Sequence, residues 1–153
     1  MLKKIIAGSQ TGVNRAALDL ALEQDFPCCG WCPKGRMSED GDLPESYPLQ
    51  ESKVTDHRIA MELNILEADG TLIITRGRPT GATALAGVLA RRRCKMLLVI
   101  DILQVVDLDT AIMIIRKWLK ENNIESLNIT GPRESRCQGI YEQTKAIISK
   151  IIY

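Results

Sequence analysis

At 153 residues, 45% of them hydrophobic, the chain carries enough apolar material for the core of one ordinary globular domain, and a single domain over residues 1–153 is expected. A formal net charge of +1 excludes the broad electrostatic attraction that nucleic-acid binding or a polybasic membrane anchor requires, so neither partner is expected. No apolar run approaches eighteen residues and no charged-then-apolar leader pattern is read, which makes the cytoplasm the expected location.

The chain begins with a short apolar run, Leu2 to Ala7, containing the β-branched pair Ile5-Ile6, and continues into GSQTGVNR. Val13 to Leu22 repeats apolar residues at helical spacing, so residues 8–12 form a loop from a strand into a helix. Pro27 to Trp31 reads as a second strand. The segment from Pro33 to Thr55, rich in Pro, Gly, Ser and acids, is too long for an ordinary connection and is expected to be a mobile, functional insert. Ile59, Leu63 and Leu66 then stripe a helix over 56–68, with Thr55 or Asp56 as its N-cap.

GTLIIT, from Gly70 to Thr75, is a third strand, and RGRPTGAT leads into an alanine-rich helix ending near Arg92. The run KMLLVID at 95–101 is apolar almost throughout, the pattern of a strand covered on both faces. Leu108, Ala111, Ile112, Ile115 and Leu119 stripe the next helix, SLNIT at 126–130 makes a fifth strand, and Ile140, Thr144, Ile147, Ile148 and Ile151 stripe the last helix. Strand and helix alternate five times. The expected fold class is therefore α/β, a Rossmann-like doubly wound parallel sheet of about five strands with helices on both faces. Strand order is not read from the sequence, although a five-strand unit of this size often runs 2-1-3-4-5 with its switch between the first and third strands; the ligand is expected at the carboxyl ends of the strands, at the switch.

Three strand-end loops reach that edge with the same chemistry. Gly8, Ser9, Gln10, Thr11 and Gly12 are followed by Arg15; Thr75 to Thr83 contains Arg76, Arg78, Thr80, Gly81 and Thr83; Thr130 to Arg136 contains Gly131 and Arg133. Glycine admits close backbone approach, a following helix N-terminus offers unpaired N–H groups, and hydroxyl and guanidinium groups add donors. The combination describes a cradle for a phosphorylated small molecule. Neither a Walker A loop nor GxGxxG is present, and an ordinary capped turn accounts equally well for GSQTG taken alone.

The remaining chemistry is less directional. Glu39, Asp40 and Asp42 lie close enough in the insert to hold Mg²⁺, to supply acid or base catalysis, or simply to form a solvated turn. His57 and Arg58 open a helix that faces the same edge; the guanidinium of Arg58 is the stronger phosphate ligand. The five cysteines do not have zinc-site spacing, and no metal ligand set is assigned. Cys28 and Cys29, adjacent on a strand, point to opposite faces and are expected to be structural, whereas Cys32 at the strand end is placed to reach the ligand edge.

The motifs GSQTGVNRAALDLALE, GWCPKGRMSEDG, LPESYPLQES, TDHRIAMELNILEADGTLIIT, TGATALA and TGPRES, in this order, resemble the family named "putative molybdenum carrier", a branch of the SLOG-type Rossmann-like proteins. The similarity runs nearly the whole length of the chain. It implies a ligand resembling molybdopterin or a nucleotide on the glycine-rich edge, held by Gly8–Gly12 and by Thr80, Gly81 and Thr83, in a homo-oligomer. The function implied is a binding or carrier protein for a phosphorylated pterin (molybdenum cofactor-like) or a nucleotide. A nucleotide-processing enzyme and a nucleotide-sensing regulator are the alternatives. Related phosphoribohydrolases carry PGGxGTxxE at the second loop; here the corresponding segment is TRGRPTGATALA, with Ala86 near the position of the acid. That departure sets the chain apart from the hydrolases.

Overall fold

The computed structural model describes residues 1–152. Its main sheet comprises six parallel strands: β1 (Lys4–Ile6), β2 (Cys28–Cys32), β5 (Leu49–Glu51), β6 (Gly70–Thr75), β7 (Met96–Asp101) and β8 (Ser126–Thr130). The remaining strands, β3 (Met37–Ser38) and β4 (Gly41–Asp42), form a small antiparallel hairpin. Five helices connect the sheet: α1 (Val13–Glu23), α2 (His57–Glu67), α3 (Gly81–Arg92), α4 (Leu108–Glu121) and α5 (Ile140–Ile151). None of the helices among the described residues is long and apolar enough to cross a membrane.

The spatial order is β5-β2-β1-β8-β6-β7, which differs from the frequent 2-1-3-4-5 arrangement. The last strand of the chain inserts between the first and the sixth, pairing with both in parallel. Counted from β8 and continued through β1, β2, β6 and β7, the sheet has the doubly wound order 3-2-1-4-5. The switch crevice thus opens between β8 and β6.

Helices α1, α4 and α5 cover one face and α2 and α3 the other. The first face holds the larger core, in which Val13, Ala17 and Leu18 of α1 meet Ile140, Ile147 and Ile148 of α5 over Ile5, Leu127 and Ile129. The second is smaller, built on Ile65, Ile73, Ala86 and Ala90. The stripes expected for α4 and α5 are the buried faces observed, apart from half-exposed Leu108. The α2 stripe is offset: Ile59 and Leu66 are exposed, and Ala60, Asn64 and Ile65 face inward. The rotation has a polar cause. Asn64 accepts a hydrogen bond from the Trp31 amide at 2.7 Å and donates to its carbonyl at 3.1 Å, so α2 satisfies the backbone of β2 through a buried side chain.

Strand β7 has helices on both faces, α3 on one and α4 on the other, as its apolar run leads one to expect. It lies at the sheet edge, where only Ile100 is buried, although its apolar run resembles that of a central strand.

The segment expected as a mobile loop is tied down. Arg36 donates to the carbonyls of Leu43, Leu49, Pro44 and Tyr47, all at 2.9–3.0 Å, while Leu43, Leu49 and Ser52 are buried. One guanidinium therefore folds the insert around itself, and Leu49–Glu51 adds the sixth strand. Replacing Arg36 with alanine leaves these carbonyls without their donor. The expected cost is about 2–3 kcal/mol, from hydrogen bonds to a charged group. Thermal denaturation measures it, and amide exchange confined to residues 36–52 localises it.

Candidate functional site

A cleft of about 590 Å³ opens at the carboxyl ends of the strands, where β8 and β6 diverge. Gly8, Ser9 and Gln10 reach it from β1, Trp31 and Pro33 from β2, Thr75, Arg76 and Arg78 from β6, and Thr130 to Arg133 from β8. His57, Ala60, Met61 and Asn64 of α2 form one wall, and Thr80 to Thr83 at the start of α3 form another. Its charged lining is uniform in sign. Arg76, Arg78, Arg133 and Arg136 face it, and the described lining contains no carboxylate, in a chain whose 20 Lys+Arg nearly balance 19 Asp+Glu.

The three loops are not equivalent. The N-terminus of α1 is closed by another loop: Val13 donates its amide to the Pro132 carbonyl at 3.3 Å, and a Cβ on Gly12 would lie 2.3 Å from that oxygen. Glycine is required there, at φ +75°, because the β8–α5 loop presses directly against the turn. The α5 N-terminus is closed by Glu134, whose carboxylate accepts from the amides of Gly139 and, at 3.0 Å, Tyr141. Only α3 presents an open start among these helices. Among the described residues, Thr80 at its N-cap makes no side-chain cap bond, a Cβ on Gly81 would meet nothing within 4 Å, and Thr83, 7% exposed, lines the cleft with no hydrogen-bond partner for its hydroxyl. Free amides, the positive helix end and the Thr83 hydroxyl converge on one spot.

Of the residues singled out in sequence, Gly8, Ser9, Gln10, Arg76, Thr80, Gly81, Thr83 and Arg133 line this cleft. Thr11, Gly12, Arg15 and Arg58 do not. The Thr11 hydroxyl accepts from the Glu134 amide at 3.1 Å, joining the first loop to the third. Arg58 pairs with Asp56, the α2 N-cap, and points its exposed side chain to solvent, while its neighbour His57 takes the place at the cleft. Arg76 is held across the crevice, donating Nε to the Cys137 thiol at 3.1 Å and Nη2 to the Gln138 carbonyl. Arg78 and Arg136 are exposed and form no ion pair among the described residues.

The acids of the insert lie outside the cleft lining. Asp40 pairs with Arg15 at 2.9 Å, and Arg15 also donates to the Ser9 carbonyl and the Ser38 hydroxyl at 3.0 Å. Glu39 accepts from Thr11 and Ser135, with its own amide donating to Gln10 at 2.9 Å. Asp42 makes no charged contact among the described residues. These two carboxylates dock the β3–β4 hairpin onto the first and third loops.

The charge-assisted bonds from Arg15, and the Ser38 hydroxyl, hold the Asp40 carboxyl at about 2, below its ordinary 3.8. A depressed folded-state value contributes stability above the ordinary one and loses it as pH falls from about 4 through about 2. The hairpin is therefore expected to loosen over that acidic window. Nuclear magnetic resonance shifts at Ser38 and Asp40 follow the transition, and Asp40→Asn removes its Asp40 part while leaving that of Glu39.

The cysteine expectation is corrected at one position. Cys32 is fully buried, with its thiol directed to the Gln50 carbonyl at 3.6 Å and its ionisation pushed up by burial. Strand β2 alternates faces, which turns Cys32 into the core beneath the insert rather than to the edge. Cys137, beyond β8, is the cysteine that lines the cleft.

Residues that the sequence reading missed, Trp31, Met61, Asn14, Asn64 and Asn128, belong to the cleft as well. None lies in a glycine-rich loop: Met61 and Asn64 come from α2, which packs on β2, and Trp31, Asn14 and Asn128 from β2, α1 and β8. The permuted strand order gives the decisive comparison. The model of the circularly permutated YpsA SLOG family matches residues 5–152. The chain belongs to that family.

The family's permutation accounts for the central place of β8. The loop that a doubly wound sheet places first, after its switch strand, is here the last, TGPRESR. The crystal structure of the "Putative molybdenum carrier protein" from Syntrophus aciditrophicus SB is 39% identical, covers 99% of this chain and 96% of its own, and superposes with a TM-score of 0.96. No curated protein matches the chain.

Proposed function

We propose that the chain is a binding or carrier protein for a small phosphorylated molecule with a planar ring, either a phosphorylated pterin of the molybdenum-cofactor type or a nucleotide. The observation that carries this reading is the open N-terminus of α3, with unpaired Thr83, in a cleft whose charged side chains are all arginine. The phosphate belongs against Gly81–Thr83 and Arg78. At the other end Trp31, Pro33, Ala60 and Met61 supply apolar surface suited to a flat ring, with Asn14 and Asn128 offering polar groups to its edge. The name of the structural relative supports the pterin over the nucleotide. The donor set suits its phosphate and ring, and Cys137 is a thiol beside the same cleft. Molybdenum would be cargo in this reading.

Carriage rather than turnover is favoured by the placement of Glu39 and Asp40, whose carboxylates are committed to hairpin contacts. Hydrolysis of a glycosidic or phosphate bond needs a placed acid, base or metal. The enzyme reading would depend on His57 or on Mg²⁺ recruited with the substrate. The homo-oligomer belongs to the proposal too, supported by exposed Leu103, Val106 and Met113, and light scattering on the purified protein measures it.

The test begins with Trp118→Phe protein, in which Trp31 is the sole tryptophan and reports on the cleft directly. Titration with inorganic phosphate, nucleoside monophosphates and a molybdopterin-type pterin is expected to change its emission saturably, with the ring-bearing ligands binding tighter. Chromatography of the same mixtures, with and without Mg²⁺, is expected to show no released base. Release of base that His57→Gln abolishes would establish the enzyme reading instead.

A further inference from the structure

The carboxylate of Glu39 lies in a donor set that an exogenous anion would fill. Oε1 accepts from the Thr11 hydroxyl and, at 3.2 Å, from the Ser135 amide; Oε2 accepts from the Ser135 hydroxyl and lies 3.4 Å from Nε of Arg133. Partial burial works against its ionisation, yet the Ser135 and Thr11 bonds hold its carboxyl below the ordinary range. These donors come from two separate loops, after β1 and after β8, and converge without the help of the hairpin. Thr11 is fixed by the Glu134 amide, and the third loop by the Glu134 bonds into α5.

This position is continuous with the cleft. Arg133 lines the cleft and faces Glu39; Gln10 lines the cleft and its Oε1 accepts both from Thr11, at 3.1 Å, and from the Glu39 amide. The hairpin carrying Glu39 is slight, with two residues in each strand and an exposed second strand. Its Glu39 side chain retains 21% exposure and that of Arg133 39%, so both can be reached from solvent. An ion pair at such exposure is readily exchanged for a stronger anion.

We infer that the Thr11–Arg133–Ser135 donor set is a second anion site, filled in the free chain by Glu39, and that a ligand bearing more than one phosphate displaces this carboxylate and releases the β3–β4 hairpin. The inference rests on the cleft reading for the first phosphate and adds the ligand's second anionic group. A single phosphate at the α3 N-terminus leaves Glu39 in place. A polyphosphate chain competes with it through Arg133, and its apparent affinity is lowered by the fraction of molecules in which Glu39 is seated.

The experiment uses inorganic phosphate, pyrophosphate and tripolyphosphate on the full chain, with Trp31 emission reporting binding and the Glu39 amide followed by nuclear magnetic resonance. Tripolyphosphate is expected to shift the Glu39 amide and accelerate its hydrogen exchange, whereas phosphate leaves it unmoved. In Glu39→Gln and Glu39→Ala, far-ultraviolet circular dichroism confirms the fold. Their affinity for tripolyphosphate is expected to rise about tenfold, as for a seat occupied about nine-tenths of the time, with phosphate affinity unchanged. Equal effects of both variants on phosphate and tripolyphosphate, or an unmoved Glu39 amide at saturating tripolyphosphate, would overturn the second site while leaving the cleft reading intact. Absence of any Trp31 response to all three anions would instead overturn the cleft reading and the second site with it.

Discussion

Gly131→Ala is expected to destabilise the protein by about 3 kcal/mol and to lower its melting temperature by about 10 °C. Gly131 follows β8 at the switch crevice, and a Cβ there would lie 2.2 Å from the Ile74 carbonyl of β6 and 2.6 Å from Cγ2 of Val13, the first residue of α1. Neither neighbour can give way cheaply. Ile74 stands in a strand paired on one side with β7, and Val13 is wholly buried. The added methyl must push apart β8, β6 and α1, the elements whose convergence shapes the cleft floor, and overpacking of this kind is not relieved by rotamer change. Gly81→Ala is the matched control. Its Cβ meets nothing within 4 Å, and its penalty comes from a φ of +53°, costing about 1 kcal/mol. Scanning calorimetry on both variants decides the point: equal melting temperatures would show that close approach at Gly131 is relieved elsewhere.

The alternation of strands and helices was legible because local periodicity records it directly. The α2 cap was legible too: Asp56, one of its two candidates, accepts from the Arg58 amide. Strand order was not, because nothing local to SLNIT says that the chain's last strand takes the central place. The edge position of β7 escaped for a related reason, since an apolar run has the same composition whether or not a further strand lies beside it. Strand β5 is three residues long and holds its place through Arg36, a contact that no periodicity encodes.

At the site, sequence pattern located all three arginine-bearing loops but not which of the helix starts behind them are closed. Which helix start stays open depends on Pro132 and Glu134 reaching back over α1 and α5, and that is tertiary information. Adjacent residues divided on geometry alone: one step along α2 separates His57 at the cleft from Arg58 in solvent. The acids of SEDGD read as chemistry in one dimension. In three, Glu39 and Asp40 are contacts between loops.

Arg78→Glu combined with Arg136→Glu is expected to weaken binding of a phosphorylated ligand by at least about 100-fold while leaving stability nearly unchanged. These two arginines are chosen because they are free. Arg76 is anchored to Cys137 and Gln138, and Arg133 faces Glu39, so changing either would mix structural loss with loss of binding. Arg78 and Arg136 are exposed, line the cleft from the β6 and β8 loops, and make no ion pair among the described residues. A guanidinium bond to phosphate contributes about 1.5–3 kcal/mol, and reversal adds repulsion to the loss of attraction. Two such changes exceed the roughly 2.7 kcal/mol that corresponds to 100-fold. Salt supplies the internal check: added sodium chloride should weaken binding to the unaltered chain and have a smaller effect on the double variant, because fewer fixed charges remain to be screened. Isothermal titration at two ionic strengths reads both quantities. Unchanged affinity in the double variant, with its melting temperature intact, would place the phosphate outside this cleft.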